Sequence, residues 1–221
     1  IGAGLMGSGI AAQVANAGIP VNLLDIVPKD AVNRNTISQS AISRMLKPVK
    51  LGSPSQLMHR DNAKLITAGN LEDHLDLMAD SDLIIEVVIE KLEIKHEVFK
   101  KIEEYRKKSS IVTSNTSTIP RSQLVDGMPK SFRKDFFITH FFNPPRYLRL
   151  LEIVSSKQVD SEKLKTITDF CDIKLGKEVV ICNDTPGFIG NRIGMFWSLT
   201  AMVEAFKADL TVDEADAIMG R

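Results

Sequence analysis

Gly2-Ala3-Gly4-Leu5-Met6-Gly7 opens the chain, followed by a helix-compatible run from Ser8 to Ala17, a break at Gly18, and the apolar strand Val21-Asn22-Leu23-Leu24 closed by Asp25. Glycine turn, helix, strand and terminal acid form the second half of a βαβ unit, with Ile1 standing for a cut first strand. In such a turn Gly2 permits the tight bend, Gly4 lets backbone approach a pyrophosphate, and Gly7 allows close helix–strand packing. The helix start then offers unpaired N–H groups and a positive dipole end to an anion. A glycine-rich turn alone is a weak signal. Asp25 strengthens it, because it stands 21 residues after Gly4 at a strand end, the place from which an acid reaches ribose hydroxyls. Ile26-Val27 follows, rather than an arginine for a 2′-phosphate, so NAD is favoured over NADP. Gly2, Gly4, Leu5, Met6, Gly7 and Asp25 are therefore cofactor-binding candidates.

Beyond this unit, short apolar runs alternate with helical spacing. Residues 31–60 predict helix, loop and short helix, broken at Pro48 and Gly52-Ser53-Pro54. Strands are expected at 66–67, 82–88, 111–113, 136–142, 150–154 and 179–182, and helices at 94–108 and 162–174, the latter closed at Gly176. This alternation predicts an α/β fold, a Rossmann-type doubly wound, mostly parallel sheet covered on both faces. After Asp184-Thr185-Pro186-Gly187 the character changes. Residues 187–208 read as one long apolar helix, and Thr211-Val212-Asp213-Glu214 has capping-box spacing. The expected division is a dinucleotide-binding domain over 1–184 and the beginning of an all-helical second domain over 185–221, both edges looking cut.

The 221 residues carry 28 basic and 28 acidic side chains, a balance without the footprint of a nucleic-acid binder or an anionic-membrane binder. No apolar run approaches membrane-spanning length, and no signal-peptide pattern is present. Cys171 and Cys182 match no metal-ligand spacing, and a reducing, cytoplasmic setting is the simpler reading.

Four histidines occur. His59, His74 and His96 lie in polar surroundings, whereas His140 ends an aromatic strand and precedes Asn143-Pro144-Pro145. Ligands bind at the carboxyl edge of such a sheet, although a structurally satisfied histidine is the competing reading. Glu152 favours the first, because it interrupts the apolar run Leu150-Leu151-Glu152-Ile153-Val154, where a buried carboxylate needs a partner. A carboxylate beside an imidazole fixes its tautomer and stabilises its charged form, as a general base requires. On an edge strand it would simply face solvent. Ser114-Asn115-Thr116-Ser117 ends another strand and offers hydroxyls and an amide to a nicotinamide ribose or a substrate oxygen, or else caps the turn at Ile119-Pro120. Asn191 either binds a carbonyl or hydrogen-bonds a neighbouring loop. Glu86, Glu90, Lys91, Glu93 and Lys95 form a charge run that is usually a solvated helix start; at a central strand end, one or two would reach the cofactor.

Together these residues resemble the 3-hydroxyacyl-CoA dehydrogenase family over essentially the whole chain. The carrying motifs are Gly2-Ala3-Gly4-Leu5-Met6-Gly7, Ser114-Asn115-Thr116-Ser117, His140-Phe141-Phe142-Asn143-Pro144 and Asp184-Thr185-Pro186-Gly187-Phe188. Ile138–Tyr147 and Leu210–Ala217 look like the dehydrogenase part of bacterial multifunctional fatty-acid-oxidation proteins. The resemblance implies NAD-dependent oxidation of (S)-3-hydroxyacyl-CoA to 3-ketoacyl-CoA, with His140 as base, Glu152 as its orienting carboxylate, and Ser117 and Asn191 positioning the substrate. It places Met6, Asp25, Glu90, Lys95, Ser117 and Asn143 near NAD, with Asn115 in the same strand-end group. It also implies a homo-oligomeric parent or one fused to an enoyl-CoA hydratase module. Two other readings stay open: a catalytically lapsed dinucleotide-binding module, and another NAD(P)-linked reductase of small acids.

Overall fold

Seven short runs of β-branched, aromatic and aliphatic residues pair as strands in a computed structural model that describes residues 1–47 and 55–220. β1 (Val21–Asp25) pairs in parallel with β2 (Ile66–Asn70). A second sheet runs in the order β3 (Leu83–Glu86), β4 (Ile111–Ser114), β5 (Phe136–Phe141), β6 (Leu150–Val154) and β7 (Glu178–Cys182). Ile1 and Gly2 lie in the lane between the two sheets: the Ile1 amino group donates to Ile85 O, Val87 N donates to Ile1 O, and Gly2 N donates to Leu24 O. The two sheets thus read as one, with Ile1 at the central position that the glycine turn requires.

The helices are α1 (Leu5–Asn16), α2 (Thr36–Met45), α3 (Leu92–Tyr105), the short α4 (Arg121–Leu124) and α5 (Lys130–Asp135), α6 (Ser161–Asp169), α7 (Gly190–Lys207) and α8 (Val212–Met219). All six residues of β5 are buried, and they alternate between two cores. Phe136 and Ile138 join Phe99 and Phe132 on one face, while Phe137 and Phe141 join Ile10, Val14 and Leu151 on the other. A strand covered on both faces reads as a continuous apolar run, which is why β5 was legible. Each fully buried Phe stabilises the fold by roughly 1.5–3 kcal/mol relative to an exposed one.

Three expectations are corrected in detail. α1 begins at Leu5 rather than Ser8, because the turn closes directly into helical geometry after Gly4. The sheet is mostly parallel, as expected, with one antiparallel pair: β5 and β6, joined by the loop from Phe142 to Arg149 instead of a crossover helix. The helix expected over 162–174 widens after Asp169 into a π turn, Phe170–Lys174, and closes at Gly176, φ +65°. The long helix starts at Gly190 instead of 187, since Gly187 (φ +75°) and Phe188 (φ +48°) hold left-handed backbone that no helix continues through. The break at Pro48 and Gly52-Ser53-Pro54 lies outside the described residues.

No residue of α7 is buried; Trp197 is 58% and Phe206 78% exposed. Among the described residues, no helix is long and apolar enough to cross a membrane.

Candidate functional site

β3, β4 and β5 run in parallel, so their carboxyl ends share one edge, and the glycine turn after Ile1 arrives at the same edge. The turn is closed inward. A Cβ on Gly7 would stand 1.8 Å from Gly2 O, and one on Gly2 would stand 2.5 Å from Val87 O. It is open outward: a Cβ on Gly4 would meet nothing within 4 Å. The first intrahelical bond is Ser8 N to Gly4 O, which leaves the amides of the first turn, Leu5 to Gly7, without helical partners. An inward-packed, outward-open glycine turn with free amides fits a dinucleotide pyrophosphate. Asp25 closes the turn from below, accepting from Ala3 N and, at 2.7 Å, from Ile26 N. A carboxylate has about four acceptor positions, so these two bonds leave capacity for ribose hydroxyls.

A cleft of about 400 Å³ opens beside the turn, lined by Gly4, Leu5, Met6, Glu90, Lys95, Asn115 and Ser117 together with Val87, Val88, Ile89 and Thr118. At its floor, the Lys95 ammonium is 2.8 Å from Glu86 and 3.2 Å from Glu90, with Lys95 and Glu86 essentially inaccessible. Glu86 also accepts from the Ser114 hydroxyl at 2.6 Å and from Val88 N at 2.7 Å. Glu90 accepts from the Thr116 hydroxyl and from Ser117 N at 3.1 Å. Desolvation works against its ionised form, but the Thr116 hydroxyl and the Lys95 charge outweigh it, so Glu90 lies below the usual carboxylate range. The charge run after β3 divides: Glu86 and Lys95 form a buried pair and Glu90 meets the cleft, while Lys91 and Glu93 are exposed at the start of α3.

His140 and Glu152 are directly opposite in the antiparallel β5–β6 register. His140 Nδ1 is 2.7 Å from Glu152 Oε2, and both side chains are buried. The other carboxylate oxygen, Oε1, accepts from the amides of Ile189 at 2.9 Å and Gly190 at 2.7 Å, where α7 begins. The His140 ring is flanked by Phe142 and Phe188, with centroids 4.5 and 5.7 Å away. Glu152 thus contacts the ring at Nδ1 and not at Nε2. Burial and the Glu152 charge together push the Cys182 thiol up to about 11.

The remaining candidates divide by what holds them. Asn115 is nearly buried and its side-chain oxygen accepts from Phe141 N at 2.9 Å, so it ties β4 to β5 at the site's edge. Asn191 Nδ2 donates to Ser117 O at 3.2 Å, the loop contact that was one of its two readings. Thr116 Oγ1 accepts from Ile119 N at 3.1 Å, so the capping reading of the 114–117 segment also holds. Asn143 is exposed on the loop after β5. Asp25, Asn143, Asn191, His140 and Glu152 are not part of the cleft lining. Sequence reasoning missed Thr116 as a partner of Glu90 and did not single out Glu86 within the charge run. The available signal was an acid closing the apolar run Leu83–Ile85, the same cue that singled out Glu152.

Residues 1–185 match the family model described as 3-hydroxyacyl-CoA dehydrogenase, NAD binding domain. The chain is 45% identical over 220 residues to a "Probable 3-hydroxyacyl-CoA dehydrogenase" of Deinococcus radiodurans, covering 100% of this chain and 62% of the relative. It is 44% identical over 234 residues to a protein of the same name from Bacillus subtilis, covering 100% of this chain and 29% of that longer relative. Among solved structures, FadB2 of M. tuberculosis superposes with a TM-score of 0.79 at 29% identity, over 96% of this chain and 72% of that one. The glycine turn, the cleft beside it and the His–Glu pair at the strand edge sit on a chain that, by the match of its first 185 residues, belongs to the 3-hydroxyacyl-CoA dehydrogenase family and contains that family's NAD-binding domain.

Proposed function

We propose that this chain carries the cofactor-binding and base-bearing part of an enzyme that oxidises (S)-3-hydroxyacyl-CoA to 3-ketoacyl-CoA in fatty-acid β-oxidation. The observation that carries this reading is the buried His140 Nδ1–Glu152 contact of 2.7 Å at the edge where the glycine turn opens. His140 Nε2 takes the 3-hydroxyl proton as the C–H bond at C3 breaks. NAD, when bound, supplies the acceptor for the hydride leaving C3. Glu152 holds the ring's tautomer and stabilises the imidazolium that results, and in the reverse direction the imidazolium returns its proton to the 3-oxygen. A base positioned this way contributes about 10²–10⁴-fold. Ser117 and Asn191, joined across the cleft rim, position the 3-oxygen and the thioester, while Met6, Asp25, Glu90, Lys95, Asn115 and Asn143 serve the cofactor.

On this reading a second, helical domain begins at residue 185, and the parent is a cytoplasmic bacterial protein, homo-oligomeric or fused to a hydratase module. A Bacillus relative of which this chain spans 29% supports a larger parent. Neither other reading is favoured: a lapsed module does not need both His140 and Glu152, and small-acid reductases commonly use a lysine at a comparable strand end.

The test is acetoacetyl-CoA-dependent NADH oxidation by the full-length protein, with His140→Gln as control. Turnover lost in the variant while NADH binding persists is the expected result. No turnover despite tight NADH binding, or full activity in the variant, overturns the reading.

A further inference from the structure

Among the described residues, two buried cations, Arg121 and Lys177, enter no ion pair. Lys177 precedes β7 and is 2% exposed, among the largest fully covered side chains of the protein. Its ammonium donates to Pro145 O and, at 2.8 Å, to Leu148 O, and lies 5.8 Å from the centroid of the Phe141 ring. Both of its described hydrogen-bond partners are backbone carbonyls of one loop, the segment that follows β5, which ends one residue after His140.

That loop is held from its other side as well. A Cβ on Gly9 of α1 would stand 2.9 Å from Pro145 Cδ, so the glycine lets the proline ring seat directly on the helix that begins at the glycine turn. Tyr147 N and Leu148 N both donate to Pro144 O at 3.0 Å, closing the loop on itself. The Asn143–Leu148 segment is thus wedged between α1 and the start of β7. Among the described residues, Lys177 supplies the charged side-chain contact to this wedge from the β7 side.

We propose that Lys177 is a positioning residue for the dinucleotide reaction: its ammonium bolts the Asn143–Leu148 loop against α1 and so fixes where the Asn143 amide stands on the loop that follows the His140 strand. The inference rests on the reading of Asn143 as a cofactor residue. A purely apolar filler would pack here without the desolvation that holds this ammonium below the ordinary lysine value. Two carbonyls pointing inward from an irregular loop need strong donors, and one ammonium satisfies both.

The experiment uses the full-length protein and its Lys177→Met and Lys177→Gln variants. NADH affinity is read by fluorescence, and deuterium uptake of peptides covering residues 143–149 is read in the ligand-free protein at a temperature where each variant is folded. Lys177→Met is expected to raise the NADH Kd about tenfold, to lower kcat by as much as about 10²-fold, and to speed exchange in this loop alone. Lys177→Gln, with one amide donor group, is expected to fall between. A Lys177→Met protein with a lower Tm but unchanged Kd and loop exchange overturns the proposal, since that is what a merely structural residue gives. Should that variant not fold, the glutamine variant is read the same way. Exchange of the wild-type Tyr147 and Leu148 amides at the rate of an unstructured chain also overturns it. A wild-type protein that fails to bind NADH instead overturns the functional reading beneath it.

Discussion

His140 and Glu152 face each other across the one antiparallel step in the sheet, and the step is what brings them together. Parallel strands place their carboxyl ends on one edge, so a carboxylate two residues into a parallel neighbour would lie away from the end of β5. Reversing β6 sets Glu152, near its start, opposite His140, near the end of β5. Because side chains alternate with period two, a slip of one residue would send Glu152 to the opposite face.

Glu152→Gln is expected to lower kcat by about 10²–10⁴-fold while leaving the NADH Kd within about threefold, because the amide cannot stabilise the imidazolium as a carboxylate does. Steady-state kinetics with acetoacetyl-CoA and a fluorescence titration check both halves. A loss confined to KM would mean that the residue serves binding instead.

The glycines separate folding from cofactor binding. Gly7→Ala puts a Cβ within 1.8 Å of the Gly2 carbonyl oxygen, so backbone must move, and a loss of about 3 kcal/mol or more is expected in urea unfolding. Gly4→Ala meets nothing and is expected to keep stability within about 1 kcal/mol while weakening NADH at least about tenfold. Equal effects of the two on stability would contradict the inward-closed, outward-open turn.

Lys95→Met strands Glu86 as a buried carboxylate without its cation, for an expected cost of about 3–5 kcal/mol. The double variant Glu86→Gln with Lys95→Met removes both charges and is expected to recover at least half of that loss. Additive losses in the double variant, measured by denaturant unfolding, would show that the two side chains act independently.

The thiols make a pH prediction. Burial pushes Cys171 up to about 12, and burial with the Glu152 charge pushes Cys182 up to about 11. A folded-state value raised above that of the unfolded chain, near 8.5, favours the neutral form in the fold. The associated stability is fully present below about pH 8.5 and is lost as pH rises toward 11 to 12. Both thiols are expected to resist a disulfide reagent at pH 8 until guanidinium is added. Prompt labelling of either in the native protein would show that its site opens locally.

Much of this was legible from residue order. The glycine turn with Asp25, the strand-end His140 and the acid within Leu150–Val154 all announce themselves by breaking a local pattern. What stayed hidden depended on partners distant in sequence. Strand direction cannot be read from an apolar run, so the reversal of β6 escaped. Glu86 and Lys95 sit in a stretch dense with charge, and beyond the apolar run before Glu86 nothing local marks Lys95 as its buried partner. Lys177, in Gly176-Lys177-Glu178, reads as an ordinary surface residue because its partners are carbonyls 29 and 32 residues away. Asn191 carried two readings, and the bond to Ser117, 74 residues earlier, supplies the loop contact.

The carboxylate that aligns His140 is itself gripped by Ile189 and Gly190, which follow the last residue of the matched NAD-binding domain at position 185. The stretch of chain needed to cradle a dinucleotide and the stretch needed to aim the base therefore end at different places. A protein cut at residue 185 would keep the residues of the glycine turn, the cleft and the His–Glu contact but lose two donors to Glu152. On the proposed reading, cofactor binding would be portable as a module in this architecture, whereas the aim of the base would stay tethered to the first helix beyond it.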